Sequence, residues 1–112
     1  MAPWYYFWAN MVIVDRYRHL QGCVIETGVW RGGISAGMSE VLGKDRTYFL
    51  FDSFEGLPSP TDHDGESAKK YQLDINSPSY LDNCAAEIDF AEKAMESALK
   101  LQQEMEKILS IQ

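Results

Sequence analysis

The sequence predicts an α/β fold built on parallel strands, and three observations predict it. The segment Val24-Ile-Glu-Thr-Gly-Val-Trp-Arg-Gly-Gly33 starts as a β-branched apolar run and breaks at an acid followed by a glycine turn. The segment Phe49-Leu-Phe-Asp-Ser-Phe-Glu-Gly-Leu-Pro58 opens as a second apolar run and ends it at Asp52. Between the two lies a helix pattern from Gly33 to Leu42, closed by Gly43. Strand, glycine turn, helix and strand in this order form a βαβ unit, whose strands run parallel and are joined by a right-handed crossover.

Each element follows from its residues. A first helix is expected over 4–20, beginning after Pro3 and ended by Gln21-Gly22. Trp4, Trp8, Met11, Val12 and Leu20 fall near one of its faces, which suits a docking helix or, alternatively, an exposed lid or dimer surface. The apolar run is shorter than the roughly 20 residues a membrane span needs. It also lacks the basic start and small-residue cleavage site of a signal peptide. The two parallel strands are expected at 23–27 and 47–52, with the polar link Lys44-Asp45-Arg46 before the second.

From Ser53 to Ser79 the chain is rich in Pro, Gly, Asp and Ser. A connection this long is functional or disordered in most domains, and a short helical turn is expected near Ser67 to Gln72. The last segment, 85–112, reads as a long amphipathic helix. Ile88, Ala91, Met95, Ala98, Met105 and Leu109 make a narrow apolar stripe, with Gln102 interrupting it. Asp89 with Lys93, and Glu96 with Lys100, are spaced for i,i+4 ion pairs. Such a seam fits pairing with a partner or a second copy, or packing on the small sheet. The chain 1–112 is therefore expected to be a single partial domain. It divides into an N-terminal helix (1–22), a cofactor-binding βαβ unit (23–58), a loop region (59–84) and a C-terminal amphipathic helix (85–112).

Composition narrows the function classes. A chain of 112 residues with 46% hydrophobic and 12% aromatic residues is globular and holds one domain at most. Its net charge of −7 argues against a nucleic-acid partner, whose binding domains carry basic surfaces. Cys23 and Cys84 suggest neither a disulfide framework nor a metal-ligand spacing, so a reducing, cytoplasmic setting is expected. The N-terminal apolar run is too short to span a bilayer, so no membrane partner is expected. Cys23 is expected to be a buried thiol at the start of the first strand. His19 reads as a C-terminal cap of the first helix. His63, between Asp62 and Asp64, reads as a solvent-facing loop residue rather than a metal ligand.

The chemistry concentrates at the strand ends. In open α/β sheets, ligands gather at the carboxyl ends of the strands, where Glu26 and Asp52 stand. The turn Gly28-Val-Trp-Arg-Gly32-Gly33 departs from the dinucleotide GxGxxG fingerprint, because Trp30 and Arg31 separate its glycines. It also lacks the Gly-Lys-Ser/Thr ending of a phosphate-binding loop. Glu26 repels a phosphate beside it, so a cationic or neutral cofactor is favoured. S-adenosylmethionine fits, with its sulfonium, amino group and lack of phosphate, and Asp52 then holds the ribose hydroxyls. The structural alternative is that both carboxylates cap nearby backbone.

These same residues carry a resemblance. The string Val-Ile-Glu-Thr-Gly-Val-Trp-Arg-Gly-Gly followed by Asp-Ser-Phe-Glu-Gly-Leu-Pro resembles the macrocin O-methyltransferase family, S-adenosylmethionine-dependent enzymes that methylate sugar hydroxyls on macrolides and other natural products. The stretch from Ser77 to Cys84 is similar to a segment of some members, and the resemblance spans roughly residues 15–96. It implies a truncated Rossmann-like class I methyltransferase fold, of which this chain carries the N-terminal half. It further implies that the methionine end of the cofactor meets Glu26 and the backbone of Thr27, Gly28, Val29, Trp30, Arg31 and Gly32, while the adenosine side meets Asp52 and Ser53. The family's magnesium ligands and catalytic base lie beyond the matched segment, so no catalytic residue and no metal ligand is assigned here. The implied partner is a small-molecule acceptor, a sugar or natural product. The alternative is a catalytically inactive relative, serving as a cofactor-binding module or an interaction module that pairs through 85–112.

Overall fold

A computed structural model describes residues 4–76, 80 and 84–110. Two four-residue strands form its centre: β1 (Val24–Thr27) and β2 (Tyr48–Phe51), paired parallel with Val24 opposite Tyr48 and Thr27 opposite Phe51. Both lie within the expected spans of 23–27 and 47–52, trimmed at the ends where ladder bonds stop. The alternating side chains divide the sheet into two faces. Val24, Glu26, Tyr48 and Leu50 are partly covered, whereas Ile25, Phe49 and Phe51 stand exposed on the opposite face.

Among the described residues four α-helices accompany the sheet. They are α1 (Trp4–Arg16), α2 (Gly33–Leu42), α3 (Gly65–Leu73) and α4 (Ile88–Leu109). The helix α2 occupies its expected span and stops at Gly43, whose N–H donates to the Ser39 carbonyl. The first helix ends earlier than expected. Beyond Arg16 the chain tightens into i→i−3 turns, Arg18 N to Asp15 O and Leu20 N to Tyr17 O, and His19 sits in this turn rather than capping the helix. The Arg46 guanidinium then donates to the Arg18 carbonyl at 2.6 Å.

The connection after β2 holds more order than its composition suggested. A 3-10 turn over Asp62–Asp64 leads directly into α3, a longer helix than the expected turn near 67–72. The start is a capping box, in which the Thr61 N–H and hydroxyl both donate to the Asp64 carboxylate at 2.7 Å. Lys69 pairs with Asp62 at 2.9 Å across the same turn. Residues 77–79 and 81–83, which carry most of the Ser77–Cys84 similarity, lie outside the described residues.

Small residues on α2 set the packing. A Cβ at Gly37 would come within 2.7 Å of the Phe7 ring and 2.8 Å of the Met11 sulfur, so α1 docks here through an i,i+4 pair. Met11 is buried, while Trp4, Trp8, Val12 and Leu20 of the expected docking face remain exposed. Helix α4 lies along the other side of α2. Ala91 and Ala98 are buried, Ser35 and Ser39 are fully enclosed, and Gln102 donates its side-chain N–H to the Ser39 carbonyl at 2.6 Å. The polar residue that interrupts the apolar stripe is thus its hydrogen-bonded anchor. The described structure therefore seats α4 on α2, not on the sheet. Of the two expected i,i+4 ion pairs, only Asp89–Lys93 closes, at 3.1 Å. Cys23 precedes the first ladder bond, outside the helix layer, and is exposed rather than buried.

The chain extends over 60 × 25 × 24 Å with a radius of gyration of 17.2 Å. A compact domain of this length has a radius of about 13 Å. Helix α4, with 22 residues, is by itself about 33 Å long. The α1–α2 contact gives a direct test. Gly37→Val is expected to lower the unfolding free energy by about 1–3 kcal/mol in urea titrations. Gly33→Ala, with no atom near the added Cβ, should leave it unchanged or slightly higher.

Candidate functional site

The site is the turn joining β1 to α2, and its shape follows from backbone conformations that few residues adopt. Gly28 has φ +78° and Gly32 φ +74°. Gly32 has a second reason to be glycine, because a Cβ there would fall 2.7 Å from the Ala91 Cα of α4. Between them Trp30 also has φ +50°, in the left-handed region that side chains rarely occupy. Val29 is buried beneath the turn. The Gly28 N–H donates to Phe51 O at 2.9 Å, tying the turn to the end of β2, and the Gly32 N–H closes it onto Val29 O at 2.9 Å.

Asp52 holds this geometry from the neighbouring strand. One carboxylate oxygen accepts the Trp30 N–H at 2.8 Å and the other accepts the Phe54 N–H at 2.9 Å. These backbone donors, Trp30 first and then Phe54, hold its carboxyl below the usual 3.8. Ser53 beside it accepts the Glu55 N–H at 3.2 Å.

Glu26 has the opposite electrostatic character. Burial raises its carboxyl above the usual 4.5, donation from Ser35 opposes that shift, and the nearby negative charge of Asp52 adds to it. The Ser35 hydroxyl also donates to its carboxylate. Ser35 lies in the first turn of α2, and the N-cap Gly32 has no side chain to offer that turn. Glu26 reaches across from β1 to supply the acceptor, where a negative charge also meets the positive end of the helix.

Two cavities meet at Trp30. The larger, about 620 Å³, is lined by Glu26, Gly28, Val29, Trp30 and Arg31, together with Trp4, Phe7, Gly33 and Ile34. The smaller, about 400 Å³, is lined by Gly28, Trp30, Asp52 and Ser53, together with Gly56, Leu57 and Cys84. Of the expected site residues, Thr27 and Gly32 line neither: Thr27 is exposed at the end of β1, and Gly32 is buried against α4. Sequence reasoning missed Trp4, Phe7 and Cys84. The two aromatics are brought in by the docking of α1, and Cys84 by a turn at φ +54° far along the chain. Their own neighbourhoods carry no local signal. Each carboxylate both bonds the backbone or first helical turn and faces a cavity, so the structural and ligand-binding readings coexist. Among the described residues, no three His, Cys, Asp or Glu side chains gather as a metal site, and no helix is long and apolar enough to cross a membrane.

The two carboxylates give opposite pH signatures. A lowered carboxyl stabilises the fold above its unfolded value and loses that contribution as pH falls through the folded one; a raised carboxyl does the reverse. Asp52→Asn, which leaves one of the Trp30 and Phe54 N–H groups without its acceptor, is expected to cost about 1 kcal/mol at pH 7. The charge-dependent part of that cost fades as pH drops below 3.8. Glu26→Gln should instead be more stable than the parent at pH 7, with the advantage gone once pH falls below 4.5. Chemical denaturation between pH 3 and 8 reads both.

Mycinamicin III 3''-O-methyltransferase from Micromonospora griseorubida is 47% identical over 71 residues, covering 49% of this chain and 28% of that protein. Demethyldecarbamoylnovobiocin O-methyltransferase from Streptomyces niveus is 43% identical over 44 residues, covering 36% of this chain and 17% of that protein. The match to each thus spans less than a third of the relative's length. No solved structure matches. The profile of the macrocin-O-methyltransferase (TylF) family matches residues 10–92, taking in the β1 turn, Asp52 and the start of α4. With well over half of its length matched, the chain belongs to the macrocin O-methyltransferase family.

Proposed function

We propose that this chain forms the donor-binding part of an S-adenosylmethionine-dependent O-methyltransferase whose acceptor is a sugar or natural-product hydroxyl. The observation that carries the reading is the pair of strand-end carboxylates, Glu26 and Asp52, facing separate cavities on either side of Trp30. The donor set fits the cofactor. The larger cavity sets the Glu26 carboxylate and the rings of Trp4, Phe7 and Trp30, which favour a sulfonium and ammonium, beside the Arg31 guanidinium, which suits the carboxylate of the same methionine end. The smaller presents Asp52 and Ser53 beside Gly56, whose φ of +83° lets the loop turn tightly past the strand end. Each Asp52 oxygen retains a lone pair for a ribose hydroxyl after accepting its backbone N–H.

In this reading Glu26 takes the methionine end, with the backbone of Thr27 to Gly32 shaping the turn around it, and Asp52 with Ser53 takes the adenosine end. When bound, the cofactor supplies an electrophilic methyl group on a positively charged sulfur. The chain's own part is to bind and orient it, because methyl transfer depends on alignment of the attacking oxygen. The acceptor hydroxyl, a magnesium ion and the base that takes its proton are assigned to parts of the family fold beyond the matched residues. The whole chain is read as one partial domain working in the cytoplasm.

Calorimetric titration of S-adenosylmethionine into the purified chain tests the reading. Saturable binding is expected, weakened at least about tenfold by Glu26→Ala and by Asp52→Ala, a loss of about 1.4 kcal/mol each. S-adenosylhomocysteine, which lacks the positive sulfur, should bind less tightly, and Glu26→Ala should narrow that difference. No saturable heat from a chain with intact helical circular dichroism sinks the assignment.

A further inference from the structure

Trp30 is the wall common to both cavities, and it is held in a costly state. Its backbone lies at φ +50°, and its indole N–H is buried with no acceptor among the described residues. Positions of this kind persist only where their surroundings over-determine them. The Asp52 bond fixes the Trp30 backbone, but it does not touch the ring.

The ring is fixed from the other side. The Arg31 guanidinium carbon lies 5.0 Å from the centre of the Trp30 ring and 5.2 Å from the centre of the Phe90 ring. One cation therefore meets two aromatic rings, one on the turn and one in the first turn of α4. The next residue on each segment is packed against the other, since a Cβ at Gly32 would fall 2.7 Å from the Ala91 Cα. That approach leaves α4 no room to shift toward the turn, and Gln102 anchors the same helix further along. Arg31 enters the site otherwise only through its backbone and the lining of the larger cavity, and Phe90 lines neither cavity.

We propose that Arg31 and Phe90 are positioning residues: the Trp30–Arg31–Phe90 stack sets the indole between the two cavities and couples the seating of α4 to ligand affinity. The proposal rests on the S-adenosylmethionine reading of the site and adds to it the residues that fix its dividing wall. Its chemistry separates stacking from bulk. Leucine at position 90 keeps the apolar volume but removes the ring face, whereas tyrosine keeps the face.

The test uses the whole chain with Phe90→Leu, Phe90→Tyr and Arg31→Met, reading two signals. One is the dissociation constant for S-adenosylmethionine by calorimetry. The other is the Trp30 indole N–H resonance in the ligand-free protein, with Trp4 and Trp8 as internal references. Phe90→Leu and Arg31→Met should each weaken binding about fivefold and move the Trp30 resonance alone, while Phe90→Tyr matches the parent in both. An unmoved Trp30 resonance in Phe90→Leu and Arg31→Met overturns the stack. A moved resonance with unchanged affinity overturns its coupling to the ligand. A parent chain that binds no S-adenosylmethionine overturns the functional reading, so the two failures are told apart.

Discussion

The hydrogen bond from the Trp30 N–H to the Asp52 carboxylate, 2.8 Å long and bridging 22 residues of sequence, is the contact on which the local architecture depends. It joins the end of one strand to the turn that leaves the other. A tryptophan backbone at positive φ is unfavourable on its own, and a charged acceptor offsets part of that cost. With the turn closed, the Gly28 N–H reaches Phe51 O and the Gly32 carbonyl receives the first bond of α2 from Ala36. The direction of α2, and with it the seats of α1 and α4, follows from this closure.

Packing above the sheet relies on small side chains rather than bulky ones. Gly32, Gly37, Ala91 and Ala98, with the enclosed Ser35 and Ser39, let helices approach closely enough that backbone and short polar groups make the contacts. Close approach compensates for limited apolar volume, since dispersion depends on distance and contact number. The enclosed serines stay satisfied, one through Glu26 and the other through the Ala36 carbonyl. The opposite sheet face is different in kind. Ile25, Phe49 and Phe51 form an exposed apolar surface of the sort that parallel sheets normally cover on both sides.

The site gains its electrostatic character from two carboxylates treated unequally by the fold. Asp52 is surrounded by backbone donors and stays ionised; Glu26 is partly withdrawn from water and lies within the field of Asp52. The Arg31 guanidinium lines the same cavity as Glu26, so the lining carries both signs of charge.

Much of this was legible in the sequence because it is local. The apolar runs, the glycines between them and the carboxylates at their ends determined two strands, their parallel pairing, α2 to the residue, and the strand-end position of Glu26 and Asp52. The capping box at Thr61 and Asp64 was also written locally, in a stretch whose composition masked it. Tertiary structure decided what depends on neighbours distant in sequence. It chose Phe7 and Met11 over the tryptophans as the docking pair, because the open position on α2 is Gly37. It seated α4 on α2, because Ala91 fits only against Gly32 and Gln102 finds its acceptor at Ser39. It exposed Cys23, and it placed Trp4, Phe7, Cys84 and Phe90 around the turn. A sequence states which groups have hydrogen-bonding capacity and apolar area, but the partner that satisfies each is fixed only when separate segments are brought within a few ångströms.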